Sequence, residues 1–305
     1  MKFIIDNVEY NLKEKQDLSW LNDYGKVFSC IDQTGSGCIN FGVKGKDKKY
    51  FVKIAGAKTI YAEISEQESI DLLKSSVDNY KHIKHDNLIK LVDSFDKGEF
   101  FVAIFEWVDG ECLFDHWNFD KYEQNPNLIT PAQKFKKLEL NKKLNVVDKL
   151  FSFFIAVKNA NYVAVDFYDS SIIYNFTTDE VFFCDIDLFR KMPTYNDLGK
   201  DYFGTKRLKA PEENEIGATI DDITNQFTLG AIVFDMLSER DEENIKQRYK
   251  IGHFIPPKKE YFNSNEKLYE ILLKSTNLNR AGRYNSIEEF YQEWQKALTN
   301  SYEIL

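Results

Sequence analysis

Apolar and polar positions alternate along residues 1 to about 56, in short runs broken by turn residues. Lys26-Val27-Phe28-Ser29-Cys30-Ile31 and Tyr50-Phe51-Val52-Lys53-Ile54 are two such runs, separated by Gly42–Asp47. A period of two predicts antiparallel strands, because successive side chains leave opposite faces of a pleated chain. Over about 63–84 the period lengthens: Ile70, Leu73, Val77, Tyr80 and Ile83 recur at helical steps. Strand-like runs return at Leu88–Phe95 and Glu99–Phe105.

Beyond Gly110 the period is mostly helical. Leu140, Leu144, Val147, Leu150, Phe151 and Phe154 outline a long amphipathic helix. Phe227–Leu237 is nearly all apolar and reads as a buried helix, and Ile287–Leu298 as a terminal one. The polar stretch 115–138 reads as a loop-containing connection. A strand-rich front and a helix-rich back predict an α+β protein in two parts, 1–107 and 108–305, joined near Glu106–Gly110.

Composition narrows the classes. The chain has 305 residues, 43% of them hydrophobic and 15% aromatic, which is globular rather than disordered usage. Its net charge of −9 argues against a nucleic-acid-binding role. The apolar runs Phe100–Val108 and Leu150–Val157 are too short to span a bilayer, and Asp6 interrupts any leader-like apolar start. Cys30, Cys38, Cys112 and Cys184 show no metal-ligand spacing and read as free thiols in a reducing compartment. A cytoplasmic protein without membrane insertion is the expectation.

Two features of the front half suggest phosphate chemistry. Gly35-Ser36-Gly37 lies between two strand candidates, where glycines let backbone N–H groups approach a phosphate closely. Downstream, Lys53 shares a strand face with Phe51 and is expected to point into an apolar interior or a cleft, where a lysine needs an anionic partner. In the back half, Phe183-Cys184-Asp185-Ile186-Asp187 reads as a strand ending in acids, with Asp185 and Asp187 on one side.

The order of these parts, with Asp166 upstream and Gly204-Thr205 leading to Ala210-Pro211-Glu212, resembles the catalytic lobe of a protein kinase. The resemblance covers about residues 25–295 and is strongest at 204–212 and 227–232. It is to a divergent, eukaryotic-like serine/threonine protein kinase of the bacterial kind, within the protein kinase-like superfamily. It implies a small antiparallel-sheet N-lobe, a larger, mainly helical C-lobe, and transfer of the γ-phosphoryl group of Mg-ATP to a Ser or Thr hydroxyl of a protein.

Carried onto this chain, the resemblance makes Asp166 the group that orients the substrate hydroxyl and accepts its proton. Lys53, Gly35, Ser36 and Gly37 would hold the phosphates, and backbone groups of Glu106 and Val108 the adenine. Asp187 would bind Mg²⁺, with Asp185 second, Ser171 in the place of the usual asparagine, and Asp169 adding a carboxylate. Thr205 would contact Asp166, and Arg283 would pair with Glu212. The acid that pairs with Lys53 is expected near Ser76, with Glu68, Asp71 and Asp78 as candidates.

The pattern departs from the family at several points. Ala164 and Val165 replace His and Arg, Tyr168 replaces a lysine, Phe189 replaces a glycine, and Asn225 stands where an aspartate is usual. Without an arginine at 165, control through an activation-loop phosphate is not expected. Two other readings stay open: a pseudokinase that binds or scaffolds, and a small-molecule kinase resembling aminoglycoside or choline kinases. The 204–212 element argues against the latter, since those enzymes lack it.

Overall fold

The N-terminal residues form a hairpin, β1 (Lys2–Ile5) and β2 (Val8–Asn11), because Asp6 and Asn7 accept left-handed backbone at φ 51° and 71°. This computed structural model describes residues 1–115 and 118–302. The Asp6 carboxylate accepts the Val27 N–H at 2.8 Å, tying the hairpin to the strand that follows.

That strand opens a five-stranded antiparallel sheet in the order β3-β4-β5-β7-β6: β3 (Lys26–Ile31), β4 (Ile39–Lys44), β5 (Lys49–Ala55), then α1 (Glu66–His82), β6 (Leu91–Lys97) and β7 (Phe100–Glu106). Both later strands start and end slightly beyond the runs read from the sequence. One sheet face carries Ile39, Phe41, Val52, Ile54, Val102 and Ile104, and the hairpin covers it through Tyr10, whose ring meets Phe41 edge-on at 5.5 Å. The opposite face receives α1, with Tyr80 edge-on to Phe105 at 4.8 Å. Helix α1 starts at a capping box between Ser65 and Glu68 and buries Ser69, Leu73, Ser76, Val77 and Tyr80. It stops when Ile83 turns extended.

The chain divides into two compact units. The first is Met1–Lys84 with Leu88–Asp109; the second takes His85–Asn87 and the chain from Gly110 on. Hydrogen bonds explain why three residues leave their neighbours: His85 Nε2 meets Ser152 Oγ at 2.9 Å, and Asn87 exchanges bonds with Val181 and Phe183.

In the second unit a short strand β8 (Glu111–Cys112) precedes the stretch read from the sequence as loop-containing. Its described residues form two helices, α2 (Phe119–Gln124) and α3 (Pro131–Lys136), the latter started by a Thr130–Gln133 capping box with proline in its first turn. Helix α4 (Leu140–Asn159) follows, burying Val147, Leu150, Phe151 and Phe154 as the periodicity predicts. Next come β9 (Tyr162–Val163), the β10 (Ile172–Asn175)–β11 (Glu180–Phe183) hairpin, and the short strands β12 (Arg190–Lys191), β13 (Thr194–Tyr195) and β14 (Thr219–Ile220). Helices α5 (Asp222–Leu237), α6 (Glu242–Ile251), α7 (Glu266–Ser275) and α8 (Ile287–Tyr302) complete the unit. Helix α5 is buried almost all round and packs against α4, α7 and α8.

One strand assignment is corrected. Strand β11 stops at Phe183, not at Asp187, and Asp185 has φ 56°. A left-handed residue breaks the period-two alternation, so Asp185 and Asp187 do not share a strand face.

Candidate active site

In the first unit the glycine turn joins β3 to β4. Gly37 has φ 73°, and a Cβ there would sit 3.1 Å from the Ser69 side chain, so the turn lies against the start of α1. Gly35 and Ser36 are exposed. The Glu63 N–H donates to the Gly35 carbonyl, and the Glu63 carboxyl carbon lies 3.3 Å from where a Gly35 Cβ would stand. An acid therefore lies beside the backbone expected to take phosphate.

On β5, Val52 and Ile54 enter the sheet core, while Lys53 is half-buried on the face that α1 covers in part. Register places Lys53 directly opposite Asn40 on β4 and Ala103 on β7. Asn40, at the third glycine position, has a buried Oδ1 with no hydrogen-bond partner, an acceptor open to a ligand donor. None of the three candidate acids of α1 lies on its buried face: Glu68 is spent in the capping box, and Asp71 and Asp78 are exposed. Ser76 occupies the expected position and is fully buried.

Past β7, the Glu106 N–H donates to Lys90 O at 2.9 Å and the Trp107 N–H to Lys49 O at 3.0 Å, so those two donors are committed. Val108 lies beyond the strand. Trp107 packs edge-on against Phe28 at 4.8 Å, and Asp109 holds both the Trp107 indole N–H and Lys49.

In the second unit Asp166 has φ 62° at the head of its loop. The loop is fixed from below by Asn225 of α5, whose Oδ1 accepts the Ala164 N–H at 2.7 Å while its Nδ2 donates to the Ala164 carbonyl at 2.9 Å. The amide that departs from the family pattern thus supplies a donor that an ionised aspartate lacks. Burial, and next the charge of Asp185, push the Asp166 pKa up to about 7; Lys209 and the Gly204 N–H pull the other way. A small pocket beside Asp166 is lined by Gly204, Thr205, Lys209, Glu213 and Thr228. Thr205 and Asp166 therefore line one pocket. Glu213, deep behind it, is raised by burial to about 8 and accepts the Ala210 N–H.

The other acids differ in exposure and pairing. Asp185 is exposed, and its field raises both Asp166 and Tyr168, in each case after the larger effect of burial. Asp187 is half-buried, next to the fully buried Ile186. Asp169 is held by the Arg207 guanidinium, a pairing that must break before it reaches a metal. Ser171 is fully buried and its Oγ has no hydrogen-bond partner, so it offers an unused acceptor once the side chain turns. Among the described residues no three His, Cys, Asp or Glu side chains converge into a metal cage. Mg²⁺ held mainly by phosphates and water needs no such cage, and one or two acids with the orphaned Ser171 oxygen fit that mode. Phe189, in place of the glycine, is buried against Phe153 and Phe167, which pins the chain after Asp187.

Glu212 takes a bidentate pair from Arg283, at 2.6 and 2.9 Å, and a further bond from Arg280 at 2.9 Å. Burial alone would raise this carboxyl, but the Arg283 bonds and charge outweigh it and hold it below its usual range. Four groups escaped sequence reading: Lys209 and Glu213 by the pocket, Arg207, and Glu63 beside the turn. The charges in Arg207-Leu208-Lys209-Ala210-Pro211-Glu212-Glu213 were visible, but their burial was not.

No known family profile matches the chain. It is 22% identical over 251 residues to the serine/threonine-protein kinase TIO of Arabidopsis thaliana, a match covering 81% of this chain but 17% of that protein's length. The solved structure of the Cydia pomonella granulovirus kinase PK-1 superposes with a TM-score of 0.62 at 17% identity, over 90% of this chain and 96% of that one. The fold is therefore the α+β, protein kinase-like one. No helix among the described residues is long and apolar enough to cross a membrane.

Proposed function

We propose that the protein is a phosphotransferase of the protein kinase-like superfamily, moving the γ-phosphoryl group of Mg-ATP to a Ser or Thr hydroxyl of a protein. The observation that carries this reading is the placement of Asp166: half-buried, on a loop clamped through Asn225, and sharing a pocket with Gly204 and Thr205 within a kinase-like fold. Asp166 orients the acceptor hydroxyl and takes its proton as the oxygen bonds to phosphorus and the bond to ADP breaks. Thr205 seats the hydroxyl-bearing segment. Lys53 and the N–H groups of Gly35, Ser36 and Gly37 cradle the phosphates, and Glu106 and Val108 meet the adenine. Mg²⁺, when bound, would neutralise phosphate charge; Asp187, Asp185 and Ser171 are the groups that would hold it. Of these, the charge of Asp185 acts on Asp166 and raises it.

Cys30, Cys38, Cys112 and Cys184 are not joined in disulfides, which fits a cytoplasmic setting. A second reading, nucleotide binding without turnover, draws support from the departures from the family pattern at Ala164, Tyr168, Ser171 and Phe189. The test is transfer of radiolabelled γ-phosphate to the protein itself and to generic protein substrates, comparing wild type with Asp166→Asn. Thermal-shift titration with ATP, with and without Mg²⁺, runs alongside. Transfer that Asp166→Asn abolishes supports the first reading, a shift without transfer supports the second, and no shift with either counts against both.

A further inference from the structure

We propose that Lys209, from the segment just before Ala210-Pro211-Glu212, is the positioning residue that keeps the Asp166 carboxylate charged, in the role left open by Tyr168 in the catalytic loop. This rests on the phosphotransfer reading for its catalytic meaning, but its geometry stands within one unit of the fold. Lys209 is 4% exposed, although a lysine that buried is rare without an anionic neighbour. Its Nζ donates to the Tyr202 carbonyl, which bends the side chain back under the Gly204 turn. Gly204 has φ 105°, and the point where its Cβ would stand is 3.4 Å from Lys209 Cε and 4.0 Å from Asp166 Oδ1. The Gly204 position thus lies in contact range of both the amine stem and the acid, its left-handed backbone favours glycine, and all three residues line one pocket.

The charges around the pair are few. Asp185 and Lys209 act on Asp166, and Asp166 in turn acts on Glu213 and Tyr168, while Glu213, Asp166, Lys206 and Asp201 act on Lys209. Burial lowers the Lys209 pKa and raises that of Asp166, and each group's charge offsets part of that cost in the other. Lys209 is thus the cation identified beside an acid that burial and Asp185 both drive toward its neutral form. With Nζ turned to Tyr202, it acts through Asp166, not on substrate.

The experiment reads protonation as well as turnover. In full-length protein carrying ¹³C-labelled aspartate carboxyls, Asp166 is assigned by its loss in Asp166→Asn and titrated in wild type, Lys209→Met and Lys209→Arg. The expected result is a midpoint about one unit higher in Lys209→Met and unchanged in Lys209→Arg. The acidic limb of kcat should move with it, while KM for ATP stays close to wild type. An unmoved midpoint in folded Lys209→Met overturns the proposal. Should that variant fail to fold, the Lys209 ¹³Cε signal in wild type decides: it should step at the Asp166 midpoint and lose that step in Asp166→Asn. No such step also overturns the proposal. A moved midpoint in a protein that transfers no phosphate supports the Lys209 assignment while counting against the phosphotransfer reading.

Discussion

Replacing Arg207 by alanine should be among the most damaging single changes in the second unit. Its guanidinium, 9% exposed, pairs with Asp169 and reaches Asp235 at 3.0 Å, and Asp235 also holds Arg248 at 2.7 Å. The chain Asp169–Arg207–Asp235–Arg248 therefore ties the segment before Ala210-Pro211-Glu212 to the Asp166 loop and to α5 and α6. The guanidinium also lies over the Phe114 ring, its carbon 5.0 Å from the centroid. Removing one member of a buried pair costs about 3–5 kcal/mol, chiefly by stranding the other charge. Asp169 is 21% exposed and Asp235 keeps Arg248, so water and the surviving cation place the expected loss near the lower end, about 3 kcal/mol. For a unit of this size that is a fall in Tm of about 6–12 °C.

A double-mutant cycle with Arg207→Met and Asp169→Asn, read by urea denaturation, separates the ion pair from the packing of the stem. The double variant should recover most of the loss, with a coupling energy of about 2 kcal/mol. A single-variant loss below about 1 kcal/mol with coupling under about 0.5 kcal/mol would refute this account of the segment. The same clamp works without phosphate, as does a loop with Val165 in place of arginine. Phosphatase treatment should therefore leave both Tm and phosphate transfer unchanged, and a loss of activity would contradict that.

Other outcomes are open to measurement. Asn225→Ala strands the buried N–H and carbonyl of Ala164 and should cost about 2–4 kcal/mol in chemical denaturation. Asn225→Asp keeps the acceptor but loses the donor and should also destabilise; a neutral Asp variant would mean the carbonyl bond is dispensable. Glu63→Gln removes an acid beside the Gly35 backbone and should tighten ATP binding up to about fivefold, the limit for an exposed charge, by calorimetry. Unchanged or weaker binding would show that phosphates do not approach that turn. Glu212 is held below the ordinary carboxyl value of about 4.5 by Arg283, so its stabilisation is present above that pH and lost as pH falls through the folded value. Acid unfolding curves of wild type should therefore steepen below about pH 4.5, and those of Glu212→Gln should lack that component.

Much of the scaffold was legible because period and turn chemistry are local. The alternation around Phe51–Ile54, the helical stripe at Leu73, Val77 and Tyr80, and the unbroken apolar run of α5 each fix an element from neighbours in sequence. The Arg283–Glu212 pair was reached through family order. The errors fall where backbone conformation overrides composition. Asp185 looks like a strand residue until its left-handed φ ends the pleat, and the polar run 115–138 hides two short helices, the second of them capped.

By itself, then, the chain's order of residues determined the strand-rich front, the helical back and the candidates Lys53, Asp166 and Thr205. Only tertiary structure decided how each charge is spent. Burial and pairing depend on residues far away in sequence: Asp169 goes to Arg207, the acids of α1 face solvent, and Lys209 turns inward beside Asp166. The energy of a charge depends on its local dielectric and on what stands within a few ångströms of it, and neither is written in a linear pattern.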